Sequence, residues 1–245
     1  MIKYAIFLIG DYMTEGPNAI QRFINMTKLN SATSRALELL DKLRTLSYFD
    51  STFLDNNLKT LRKATVSNED GISFFTASQA AVYLSSINSL LLKDELLDMR
   101  EINEDALTLI ILHELIHMAS TNLETQVIGY SNSALPVTFN EACTQYLAIK
   151  VMFEENMDQG LSTNFIYPES TLKIKALIDE IGEEALYRGF FKAEVLNMTN
   201  NMDKEAKSKW IDTIFEMFYT NEEKVSTSGV NNFNNTVEEY KEGRL

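Results

Sequence analysis

Two rhythms of apolar residues divide the chain. Ala36, Leu37, Leu39, Leu40 and Leu43 recur at helical spacing and predict helices across residues 17–63, with Ser31 as a candidate cap. Between residues 72 and 93 the rhythm breaks into short runs: Ile72, Phe74 and Phe75, then Ala81–Leu84, then Leu90–Leu92. Ser85–Asn88 separates the last two and predicts a hairpin, although each run also suits a buried helix segment. Helical spacing returns from Glu104 to Ser120, and another helix is predicted to begin near Thr138, just after Pro136. Thr171–Ile181 ends at Gly182, a suitable helix stop. From Asp203 to Thr220, Trp210, Ile214 and Phe218 share one stripe with Ile211 and Phe215 beside it, which predicts core packing.

The ends of the chain read differently. The run Tyr4–Ile9 is short, is followed at once by Asp11, and lacks a small-residue cleavage site, so it predicts a buried first strand rather than a secretion signal. No stretch reaches membrane-spanning length. A cytoplasmic protein is expected, with leaderless export left open. Residues 225–245 are polar and Asn-rich and predict a flexible tail. No linker forces a boundary, so one α+β domain over residues 1–245 is expected, mostly helical with a small sheet.

Charge narrows the partners. The net charge of −13 repels phosphate backbones, which argues against nucleic acid, and would attract cationic or basic peptides. Solubility alone also accounts for such a charge. With one cysteine, Cys143, the chain has no internal disulfide. Composition does not fix the oligomeric state.

The chemistry concentrates in His113-Glu114-Leu115-Ile116-His117. These are the chain's two histidines. Four residues advance a helix by about 400°, so both rings project from one face and suit a single tetrahedral zinc. Glu114 lies about 60° around the helix from His117, where a carboxylate can take a proton from a metal-bound water without being a ligand. The motif also arises by chance, and two core histidines are possible. Against chance, the flanks are apolar enough to bury the helix, and a buried pair of unpartnered rings is costly. Zinc then needs a third ligand. The pattern with a third histidine is absent, because Leu123 stands where that histidine would be and Ser120 where its glycine would be. Cys143 and the downstream acids are candidates. Glu124 falls in the turn leaving the helix. Glu141 is the better choice, since it begins a second helix and its distance from His117 leaves room for a chain reversal. Thr138-Phe139-Asn140-Glu141 also fits a capping box that merely starts a helix.

HELIH followed by Asn140-Glu141-Ala142-Cys143-Thr144-Gln145 resembles the two motifs of the thermolysin-like gluzincin peptidases, HExxH and NExxSD. The resemblance is confined to the stretch between His113 and Gln145. It implies His113, His117 and Glu141 as zinc ligands and Glu114 as general base. Thr144 stands in place of the family's Ser. Gln145 stands in place of the Asp that orients a ligand histidine, and a Gln accepts that bond more weakly. A tyrosine and a further histidine assist in that family. No further histidine exists here, and of Tyr130 and Tyr146 the former is the candidate for stabilising an oxyanion. The resemblance further implies a zincin-like fold whose sheet precedes the HELIH helix. An edge strand, Ser89–Lys93, could then pair with an extended peptide or protein substrate. The function expected is zinc-dependent peptide hydrolysis. The alternatives are a zinc-binding regulatory protein without turnover, and an acidic interaction protein in which HELIH is accidental.

Overall fold

The computed structural model describes residues 19–66, 80–100, 102–131, 135, 137–153, 168–192 and 203–218. The expected first strand at Tyr4–Ile9, the run at 72–75 and the tail at 225–245 lie outside them, as do the side chains of Trp210 and Phe215. The apolar stripe at the start forms one long helix, α1 (Ala19–Asp41), followed by a single 3-10 turn (Lys42–Thr45). Leu29, Ala32, Ala36 and Leu40 form its buried face, while Leu37 is exposed. Ser31 sits exposed inside α1 and caps nothing. Asn25 is buried and donates from Nδ2 to Leu97 O (2.9 Å) and Met99 O (2.6 Å), fastening α1 to the 3-10 turn Asp94–Asp98.

After α2 (Thr52–Thr60), where the sequence suggested helix to residue 63, the chain extends into β1 (Arg62–Val66). The predicted hairpin is present as β2 (Ala81–Leu84) and β3 (Ser89–Lys93), antiparallel and joined by a 3-10 turn at Ser85–Ile87. Asn88 closes the turn at φ 45, a left-handed conformation that Asn tolerates better than most residues. Its side chain secures that geometry: Nδ2 donates to Asn57 O and Thr60 Oγ1, and Oδ1 accepts from the Tyr83 hydroxyl. The strand order is β1-β3-β2, with β1 parallel to β3. This corrects the expected edge strand. Ser89–Lys93 is central, flanked on both sides, and its continuous Leu90–Leu92 run is buried as central strands are. Among the described strands the antiparallel edge is β2.

The helix predicted over Glu104–Ser120 is α3 (Glu104–Ala119). Asn103 caps it by accepting from Ala106 N (3.1 Å), and Glu104 and Asp105 lie at its positive end. Almost every residue of α3 is buried, so it runs through the core between α1, α2, β2 and α4 (Val137–Met152). Asn57 Nδ2 donates to Met118 O and Thr121 O, both at 2.8 Å, and so satisfies carbonyls at the end of α3. A two-residue hairpin, β4 (Thr121–Asn122) and β5 (Val127–Ile128), then leads toward α4. The helices α5 (Pro168–Ile181), α6 (Glu183–Phe190) and α7 (Lys204–Phe218) follow. Gly182, at φ 85, ends α5 as expected, and Ile211, Ile214 and Phe218 are buried.

The turn that directly follows β5 is tightly held. Gly129 has φ 51 and donates to Ser120 O at 2.9 Å. Asn140 of α4 accepts from Tyr130 N at 2.9 Å. A Cβ on Gly129 would stand 2.5 Å from Asn140 Oδ1 and 2.6 Å from Phe190 Cε2. Gly129→Ala combines this clash with a left-handed backbone, and is expected to destabilise the protein by about 2 kcal/mol or more. Urea denaturation measures it, and an unchanged midpoint would refute the close approach.

Candidate metal centre

His113 and His117 lie one turn apart on α3, and Glu141 faces them from the second turn of α4. Their three nearest polar atoms form a small triangle. His113 Nε2 and His117 Nε2 are 3.1 Å apart, and Glu141 Oε2 is 3.2 Å from the first and 3.4 Å from the second. The rings meet edge to face, with centroids 4.8 Å apart. Both histidines are buried and Glu141 is partly exposed. This buried His-His-Glu group could hold a metal ion.

The donor set supports that. Ligands at the corners of a tetrahedron with bonds of 2.0–2.1 Å stand about 3.3–3.4 Å apart, close to the triangle observed. His113 Nδ1 lies 2.8 Å from Gln145 Oε1, an oxygen that can only accept, so Nδ1 carries a hydrogen. In the neutral ring Nε2 then presents a lone pair to the centre. Thr144 Oγ1 lies 3.4 Å from His117 Nδ1. Gln145 thus stands behind one of the two rings. Its amide nitrogen is buried without a partner among the described residues.

Glu114 stands beside the triangle and outside it. Its Oε2 accepts from the backbone N–H of Tyr83 in β2 at 2.8 Å. The register explains why that amide is free. Lys93 N donates to Ala80 O, which makes Ala81–Leu92 a non-hydrogen-bonded pair and turns the amides of Ala81 and Tyr83 away from β3. Burial pushes the Glu114 carboxyl up to about 7. His113 opposes the rise, Glu141 adds to it, and the Tyr83 N–H opposes it again. Burial also pushes Glu141 up, but when the rings are protonated the charge of His117 and the hydrogen bonds of both histidines prevail and hold it below the usual carboxylate range.

The other candidates fall elsewhere. Tyr130 is not brought to the centre: it is fully buried, its ring stacks on Phe139, and its hydroxyl donates to Leu186 O. The site it was expected to serve faces α3, whereas Gly129 and Asn140 turn Tyr130 into the aromatic core. Tyr146 lies against Tyr187. Glu124 is exposed in the loop between β4 and β5 and is not part of the cluster. Cys143 is a packed residue whose thiol burial pushes well up. Thr138 lies inside α4 and donates to Phe218 O at 2.7 Å, so the capping-box reading of Thr138 and Glu141 does not hold. The sequence did not single out Tyr83, because its part is played by a backbone amide that only the strand register exposes.

No protein-family model, curated protein or solved structure matches this chain.

The raised value at Glu114 has a signed consequence for the metal-free protein. Near pH 4 the carboxyl is neutral in folded and unfolded chains alike. As pH climbs past the ordinary carboxylate value the unfolded state ionises first, and the folded state loses stability until about pH 7. Glu114→Gln keeps an acceptor for Tyr83 but removes the ionisation. Chelator-treated Glu114→Gln protein is expected to exceed wild type in stability at pH 8 by up to about 3 kcal/mol, with the gap closing toward pH 4. Urea denaturation at the two pH values reads it, and a gap that does not grow with pH would contradict the burial argument.

Proposed function

We propose that this chain is a zinc-dependent peptidase of gluzincin type, with His113, His117 and Glu141 as the zinc ligands and Glu114 as general base. The observation that carries the reading is the triangle of three lone-pair donors at tetrahedral spacing, with the Glu114 carboxylate beside it rather than in it. Two histidines and one carboxylate, with no third histidine, suit zinc with one position left for water or substrate.

A zinc ion bound there supplies a Lewis acid and an acidified water. The protein's own groups do the rest. The Tyr83 amide holds Glu114 Oε2, so Oε1 is the oxygen left to take the proton. Glu114 keeps that proton in a half-buried site until the leaving amine receives it. Gln145 holds His113 with its lone pair on the centre. On this reading the outer edge of β2, unpaired among the described residues, offers the Ala81 amide and the carbonyls of Ala81 and Tyr83 to an extended peptide, the Tyr83 amide being held by Glu114. This replaces β3 as the strand that could pair with substrate.

One observation favours a second reading, a zinc-binding regulatory protein without turnover. Tyr130, the group expected to stabilise an oxyanion, spends its hydroxyl on Leu186 O inside the core.

Metal analysis of purified protein should find about one zinc per chain. His117→Ala and Glu141→Ala should lose most of it, and Glu124→Ala should retain it. Full retention in His117→Ala would rule out the site. A damaging Glu124→Ala would replace Glu141 as third ligand.

Glu114→Gln should keep its zinc and lower hydrolysis of a broad peptide panel, basic sequences included, by about 100-fold or more. Equal cleavage by both proteins would remove Glu114 from the chemistry. A zinc-loaded wild type that cleaves nothing in the panel would favour the regulatory reading.

A further inference from the structure

The side chain of Thr144 is fully buried in the middle of α4, in a stretch from Ala142 to Ile149 that is otherwise apolar except for Gln145. A buried hydroxyl in such a place is costly unless it is bonded. Thr144 makes two contacts. Its Oγ1 lies 3.0 Å from Asn140 O and 3.4 Å from His117 Nδ1. A carbonyl oxygen can only accept, so the hydroxyl's single hydrogen goes to Asn140. Toward His117 the hydroxyl is left with lone pairs, and it can only accept there.

We propose that Thr144 is the positioning residue of His117: by accepting from Nδ1 it holds the ring in the tautomer whose Nε2 can bind a metal. The inference rests on the metal reading above. The alternative tautomer has a real competitor in this site. With its hydrogen on Nε2, His117 would donate to Glu141 Oε2, which is 3.4 Å away, and the ring would become a hydrogen-bond donor to the carboxylate instead of a ligand beside it. Thr144 decides between those two roles. Gln145 does the same for His113 at 2.8 Å.

The arrangement follows from helix geometry. Residues 141, 144 and 145 stand at i, i+3 and i+4 and share one face of α4. The two histidines stand four apart on α3. One face of α4 therefore delivers a ligand in its first position and, one turn later, a separate acceptor for each imidazole. Both acceptors are neutral. Glu141 is then the one anion that α4 contributes to the centre.

Thr144→Val removes the acceptor while keeping the branched shape, and Thr144→Ser keeps the acceptor while removing a methyl group. In full-length protein, zinc affinity measured by chelator competition is expected to fall about 10- to 100-fold in Thr144→Val and to be largely kept in Thr144→Ser. Imidazole 15N spectra of the metal-free proteins should place the His117 hydrogen on Nδ1 in wild type and Thr144→Ser, and spread it over both nitrogens in Thr144→Val. Wild-type affinity in Thr144→Val, or an equal loss in both variants, would overturn the proposal, the second result pointing to packing alone. If wild type itself binds no zinc, the metal reading fails, and the tautomer comparison still decides the role of Thr144. A His117 ring unchanged between wild type and Thr144→Val would then reject it.

Discussion

Three lone-pair donors held within 3.4 Å of one another inside the core are the constraint on which the other features depend. Two imidazole nitrogens and a carboxylate oxygen repel at that distance, and a proton or a cation among them relieves the repulsion. Such a cluster survives only if the two helices that carry it cannot slide. α3 is buried around almost its whole circumference, and α4 is buried from Ala142 to Ile149. Neither helix has an apolar face to spare that would let it rotate without exposing core.

Polar pins set the register that hydrophobic packing leaves loose. Asn57 fixes the end of α3 through Met118 O and Thr121 O. Asn140 holds the β5–α4 link through Tyr130 N, in a space that admits no side chain on Gly129. A hydrophobic interface tolerates small shifts at little cost, whereas a buried amide that loses its partner costs about 1–3 kcal/mol. These side chains therefore help to place Glu141 against the histidines. The aromatic cluster of Tyr130, Phe139, Tyr187 and Phe190 then fills the far side of α4. Tyr130 belongs to that side, and the same anchoring that builds the centre keeps it away.

What the sequence revealed and what it hid follow from how local each signal is. The HELIH pair, the helices around it and the stop at Gly182 depend on spacings of a few residues, and these were legible. The hairpin at residues 81–93 was legible too, since its turn lies between two apolar runs. β1 was not, because Arg62–Val66 carries little apolar pattern of its own and is a strand only by pairing with β3. For the same reason β3 could be taken for an edge: its central place depends on a partner that its own residues do not announce. Glu141 was legible through its motif, while the bond between Thr138 and Phe218, 80 residues apart, was invisible. Tyr130 failed as a candidate because sequence proximity to a motif says nothing about which side of a helix a loop feeds. Thr144 did carry a signal in its i+3 offset from Glu141, but the offset gains meaning only when the facing helix is known.

The register of β2 joins the edge strand to the chemistry. Its outward amides alternate, so those of Ala81 and Tyr83 face the same way and that of Val82 faces β3. Tyr83 spends its amide on Glu114, which fixes one carboxylate oxygen. That bond favours the ionised carboxylate, while burial and the nearby Glu141 favour the neutral one, and the balance lies near neutrality. On the peptidase reading, a peptide paired along β2 is registered against the same strand that holds the base. Substrate alignment and base position then share one reference, and a slip of β2 by one residue would turn the Tyr83 amide toward β3 and disturb both together.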